Sequence, residues 1–168
     1  MLHHVSISAI DPLRVATVLA EVMQGFVAPF PPNPGSYLVA TGDSYGTMLE
    51  IYPLGSQILP GLGTEAEATF SLHPHPHRYT DTHIAVSVNT SEKDIKCIAA
   101  REGWRAVRCN RDDLFEVIEF WVENRLMVEF LPPALAARYL EVMQPQNLAK
   151  LAAAAQAGAN LVEALVIA

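Results

Sequence analysis

"MLEIYP", residues 48–53, puts one carboxylate, Glu50, into a run that otherwise reads as a buried strand; it recurs 79 residues later as "MVEFLP", residues 127–132, with Glu129 in the same place. A charge taken out of water costs several kcal/mol unless something pairs with it. Each glutamate is therefore exposed, paired or holding a cation. The same shift lays "HVSISAID", from His4, on "HIAVSVNT", from His83, with no net gap, and the His-to-Glu spacing is 46 residues in both halves. A repeat of this kind decides the architecture.

The elements between these anchors correspond as well. "HVSIS" and "HIAVSV" read as strands, and each leads into a helical segment, at about 12–24 and 91–102. The first helix opens on an Asp cap, Asp11, with a proline in its first turn, and the second on a hydroxyl cap at Thr90 or Ser91. Gly25 and Gly103 follow as stop signals. Each half then ends in a hairpin, turning near Ser44 to Gly46 in the first and near Glu123 to Arg125 in the second. The pattern predicts an α+β chain of two βαβββ modules, residues 1–54 and 81–133. Residues 55–80, rich in Gly and Pro, read as a linker with room for one strand, and residues 134–168 as an Ala-rich helical tail broken at Pro145 and Gly158.

A chain of 168 residues, 51% apolar and 17% charged, is long enough to bury a core without staples. Its two cysteines, Cys97 and Cys109, are too few for a disulfide framework or a Cys-based zinc site, which points to a reducing cytoplasm. Asp11 and Arg14 interrupt the first twenty residues in a way unsuited to a signal peptide, and no apolar run is long enough to span a membrane. The net charge is −7, and the basic residues form no stripe with interleaved aromatics, so neither nucleic acid nor a membrane is expected as partner. No Ser/His/Asp order, phosphate loop or dinucleotide fingerprint is present.

Two His and two Glu form a set that suits a divalent metal, with two carboxylates to balance its charge and two imidazoles to bind through neutral nitrogen. Singly, a strand-initial His is more often a surface residue and a strand Glu more often faces solvent. Together, His4, Glu50, His83 and Glu129 carry the argument because the bland reading needs the same two accidents in the same register twice. Two equivalent modules related by a pseudo-twofold could bring all four to one centre. Strand alternation puts His4 with Ser6 and Ser8, and His83 with Ala85 and Ser87, so the ligand face is the smaller, more polar one. His3 points away and is read as structural. "HPHPH", His73 to His77, lies in the linker without a repeat partner, and its role stays open. Arg105, Arg108 and Arg111 could hold a substrate carboxylate or phosphate, or simply be solvated. With a two-residue turn in the second hairpin, Phe120 would lie across from Glu129 and line a cavity; another turn length changes that.

Residues 1–133, through "HHVSI", "MLEIYP", "THIAVSV" and "LMVEFLP", resemble the vicinal oxygen chelate superfamily, which includes glyoxalase I, methylmalonyl-CoA epimerase, extradiol dioxygenases and the fosfomycin and bleomycin resistance proteins. The resemblance implies paired βαβββ modules in a cupped mixed sheet around a central cleft, and often a homodimer. It implies one divalent metal ion (Zn, Ni, Mn, Fe or Co) on His4, Glu50, His83 and Glu129. The full His/Glu/His/Glu set is more similar to the isomerase-type, glyoxalase-like branch. This implies isomerase, epimerase or lyase chemistry on a small substrate that chelates the metal through neighbouring oxygens, with Glu129 or Glu50 as proton carrier. A non-catalytic binding or resistance protein and an extradiol-dioxygenase-like oxygenase are the alternatives.

Overall fold

The structure, a computed structural model, describes residues 2–62, 67–158 and 163–166. The chain divides into two compact units, Met1–Thr82 with Val122–Leu126, and His83–Trp121 with Met127–Ala168.

The first unit runs β1 (His4–Ala9), α1 (Pro12–Met23), β2 (Phe26–Pro29), β3 (Tyr37–Ala40) and β4 (Met48–Pro53), with sheet order β1-β4-β3-β2. β1 and β4 are parallel, with Ser6 beside Glu50, and the other pairs are antiparallel. Alternation splits this sheet into two chemically distinct faces. Ile7, Val39, Leu49 and Ile51 share one face and are buried with Val15, Val18, Leu19 and Val22 of α1, which recur at helical spacing. Ser6, Leu38 and Glu50 share the other.

Asp11 caps α1 by accepting from the Arg14 amide at 3.1 Å. The helix ends one residue earlier than Gly25 suggests. Gln24, at φ 55°, takes the left-handed position, while Gly25 serves a close approach: a Cβ there would stand 2.4 Å from the Ala40 carbonyl oxygen.

Beyond β4 the chain forms an antiparallel pair, β5 (Ser56–Leu59) with β6 (Thr69–Leu72), where the sequence suggests a linker with at most one strand. These strands are only four residues long and mostly exposed, and the one alternation they offer, Thr69 to Leu72, is too short to stand out in a Gly- and Pro-rich stretch.

The second unit repeats the order as β7 (Ile84–Ser87), α2 (Glu92–Glu102), β8 (Arg105–Arg111), β9 (Phe115–Val122) and β10 (Leu126–Leu131), in the sheet order β7-β10-β9-β8. β7 and β10 are parallel with Ala85 beside Glu129. Adding 79 to each member of the Ser6 and Glu50 pair gives this pair, so the sequence repeat survives residue for residue in the strand register. Ser91 caps α2 through the Asp94 amide, and Gly103, at φ 73°, closes it in the left-handed conformation. The β9–β10 tip, residues 122–126, belongs to the first unit, where the Glu123 carboxylate accepts from the Ile10 and Asp11 amides at 2.7 and 2.8 Å, just before α1.

The tail forms α3 (Pro133–Val142), α4 (Pro145–Ala157) and the short α5 (Glu163–Val166), with Pro145 opening α4 and Gly158 closing it. α3 packs on its own unit: Tyr139 meets Phe115 edge-on at 5.0 Å, and Arg138 donates to the Leu114 carbonyl. Among the described residues, no helix is long and apolar enough to cross a membrane.

Candidate functional site

In the first unit, the polar face of the sheet holds Glu50 in a defined pose. It is 7% exposed. Its Oε2 accepts from Ser6 Oγ and from the Tyr52 hydroxyl, each at 2.7 Å. Its Oε1 lies 4.0 Å from Nε2 of the half-exposed His4. Ser6 is the cross-strand neighbour of Glu50, and Tyr52 lies two residues along the same strand, so strand geometry alone delivers both hydroxyls to one oxygen. Burial first, and then the hydrogen bond to Glu50, push the Tyr52 phenol above its ordinary 10.0. The ring of Tyr52 is fixed between Phe30 and Phe70, each 5.8 Å away between centroids.

In the second unit, Glu129 is almost as buried, at 9%. The 79-residue shift replaces Ser6 by Ala85 and Tyr52 by Leu131, which have no side-chain donor. A guanidinium takes their place: Arg111 Nη2 donates to Glu129 Oε1 at 2.5 Å and to Glu119 Oε1 at 2.8 Å. Trp121 Nε1 donates to the other Glu119 oxygen at 3.2 Å. Burial pushes Glu119 upward, but the bonds from Arg111, Trp121 and Cys109 outweigh it and leave Glu119 below its usual range. Arg111 is correspondingly harder to deprotonate. His83 is exposed and immediately precedes β7.

The four expected ligands thus stand as two pairs, His4 with Glu50 in the first unit, His83 and Glu129 in the second. Among the described residues, no three His, Cys, Asp or Glu side chains gather as a group able to hold a metal. Within the first unit the donors suit a divalent cation: a buried carboxylate with one oxygen anchored by two hydroxyls turns its other oxygen toward an imidazole.

The two expected pocket residues are placed differently from the sequence expectation or away from the acids. Phe120 does not lie beside Glu129. Three residues, Glu123 to Arg125, separate β9 from β10 instead of two, and Phe120 is fully buried, edge-on to Trp104 at 5.7 Å and to Phe130 at 5.3 Å. Arg105 begins β8, exposed and opposite Trp121. Arg108 is spent on Glu116 and Glu92. His3 Nδ1 lies 2.6 Å from the Tyr45 carbonyl oxygen, a structural contact. Sequence reasoning missed Tyr52, and it named Arg111 as a candidate holder of a substrate anion without foreseeing its bond to Glu129. Tyr52 was open to it, two residues from Glu50 on one face; Arg111 depends on the course of β8, which carries no such signal.

No family model matches the sequence, and no curated protein matches it. Solved structures do. The genomically encoded fosfomycin resistance protein of Listeria monocytogenes, in its monoclinic form, matches 82% of this chain and 94% of its own, with a TM-score of 0.53 at 13% identity. Its hexagonal form gives 0.51 at 15% identity over 82% and 97% of the two chains. The chain has the vicinal oxygen chelate fold. A putative glyoxalase family protein from Bacillus anthracis also matches, at 12% identity over 77% of this chain and 92% of its own, with a TM-score of 0.49. On this vicinal oxygen chelate scaffold, the first half's acid is held by neutral hydroxyls and the second half's acid by a cation.

Proposed function

We propose that this chain is a metal-dependent, glyoxalase-like enzyme that isomerises, epimerises or cleaves a small substrate with neighbouring oxygens, with His4, Glu50, His83 and Glu129 as the ligand set. The observation that supports it is the buried Glu50 carboxylate, whose free oxygen faces His4 while Ser6 and Tyr52 fix the other. A divalent ion held there would act as a Lewis acid on a carbonyl or enolate oxygen, an effect of several kcal/mol in the transition state. The chain's own residues supply the proton traffic. A proton lost beside the substrate carbonyl has two available acceptors: Glu129 through Oε2, the oxygen that Arg111 leaves open, and Glu50 through Oε1, the oxygen that the two hydroxyls leave open.

A second reading, a protein that binds a small molecule without converting it, is favoured by one observation: Arg111 already pairs with Glu129. The test is turnover of 2-oxoaldehydes and acyl-CoA compounds with Zn, Ni, Mn, Fe or Co supplied, in the parent and in Glu129→Ala. Metal-dependent turnover that the substitution and a chelator both abolish is expected. Full activity in Glu129→Ala would sink the assignment, and chelator-insensitive ligand binding without turnover would favour the second reading.

A further inference from the structure

A cavity of about 470 Å³ in the first unit takes no part in the function proposed above. Its wall combines Ser8 at the end of β1, Ser56 of β5, the segment from His73 to Asp81, and Arg125 from the β9–β10 tip. Arg125 is the unusual member. It is 5% exposed, and no carboxylate among the described residues lies within ion-pair distance. Its Nη2 donates to the Ser8 carbonyl and, at 3.2 Å, to Ser8 Oγ, while its buried Nε has no hydrogen-bond partner among the described residues. Both oxygens of nearby Glu123 are occupied by the Ile10 and Asp11 amides. Burial lowers the proton affinity of Arg125, yet a guanidinium stays charged at any working pH. The negative charge of Glu123 partly offsets that burial, but among the described residues no carboxylate comes into ion-pair contact, and a buried charge without a close partner is costly.

The remaining wall is built to donate. Ser56 Oγ accepts from Asn33 Nδ2 at 3.4 Å, which leaves its own proton to point elsewhere. The wall's one acid, Asp81, accepts from the Thr80 hydroxyl at 3.4 Å. Three imidazoles, those of His73, His75 and His77, line the same space and would suggest a cation. Two facts argue against one. Among the described residues no three potential ligands gather, and His73 Nδ1 already accepts from the His75 amide at 3.2 Å. Pro74 and Pro76 fix the backbone between these histidines, so less ordering entropy is lost when a ligand enters.

We propose that this cavity binds a small tetrahedral oxyanion of the phosphate class, with Arg125 as its buried counter-charge and the surrounding hydroxyls and imidazoles as donors. Tetrahedral shape is favoured because the donors arrive from four separate stretches of chain, while half of the guanidinium fork that a planar carboxylate would use is spent on Ser8. The inference is independent of the metal-dependent reading.

The test is a titration of the full chain with inorganic phosphate, and in parallel with acetate, followed by isothermal calorimetry and by amide and Arg125 Nε–H NMR shifts. Saturable phosphate binding is expected, with shifts confined to the cavity wall, namely Ser8, Ser56, Gln57, residues 73–81 and Arg125, and acetate binding at least about tenfold weaker. Arg125→Gln should abolish binding. Because Arg125 also holds Ser8, the exposed His75→Ala provides a second variant, expected to weaken phosphate severalfold with the melting temperature unchanged. No saturable phosphate binding, acetate binding as tight as phosphate, or shifts elsewhere in the chain would each overturn the proposal, as would parent-like affinity in both variants.

Discussion

The carboxylate of Glu50 accepts from two hydroxyls and that of Glu129 from a guanidinium, although the two residues occupy the same register on parallel partner strands. The consequence is a difference in charge pairing. Glu50 has only the half-exposed imidazole of His4 near its open oxygen, whereas Glu129 pairs with the guanidinium of Arg111. Tyr52→Phe isolates the first arrangement, since it removes one donor and little volume. Hydrogen bonds to charged groups contribute about 1.5–3 kcal/mol, so the variant should lose about 2 kcal/mol in urea denaturation near neutral pH. The sign with pH follows from the raised phenol: its stabilisation is complete below the unfolded value of 10.0 and is lost as pH rises toward the folded value. The gap between parent and variant should therefore narrow above pH 10, and a late tyrosinate absorbance step should vanish in Tyr52→Phe. A gap that widened there would contradict the assignment. That Glu50 needed an explanation was legible from its apolar neighbours; that Arg111 would hold Glu129 was not, because it depends on how β8 and β9 align.

At the scale of elements, the helices were the most legible part, and their end signals show why. Asp11 and Ser91 cap as their residue types demand, and Gly103 ends α2 in the left-handed conformation. Gly25 looked identical in sequence and has a different physical reason, the 2.4 Å approach of the Ala40 carbonyl to the place of a Cβ. The two glycines should respond differently to alanine. Gly103→Ala meets nothing within 4 Å and pays only for its positive φ, about 1–2 kcal/mol. Gly25→Ala must move β3 away from β2 and should cost about as much again or more, with added exchange of the amide protons of Phe26 and Ala40. Equal losses with no change in exchange would refute the close-approach explanation. The β5–β6 pair escaped the sequence reading because its strands are four residues long, largely exposed and set in a Gly- and Pro-rich stretch. Phe120 was misplaced by one residue of turn length, which is enough to send a side chain to the opposite face.

For the whole molecule, the repeat is the strongest signal, and it survives into structure as identical strand order and residue-for-residue register in the two units. The two βαβββ modules were thus readable from two short stretches and one spacing, and the vicinal oxygen chelate fold from the resemblance those stretches carry. What the repeat does not preserve is the surroundings of the acids, and the site chemistry rests on those. If His4, Glu50, His83 and Glu129 serve one ion, removing either half's pair should empty it, because a remaining pair offers too few ligands for tight binding. The decisive measurement is elemental analysis of the parent, of His4→Ala with Glu50→Ala, and of His83→Ala with Glu129→Ala, each reconstituted with the same divalent metals and dialysed together. About one ion per chain in the parent and none in either double variant is the expected result. Metal that persists in one double variant, or a parent that binds none, would contradict the shared centre.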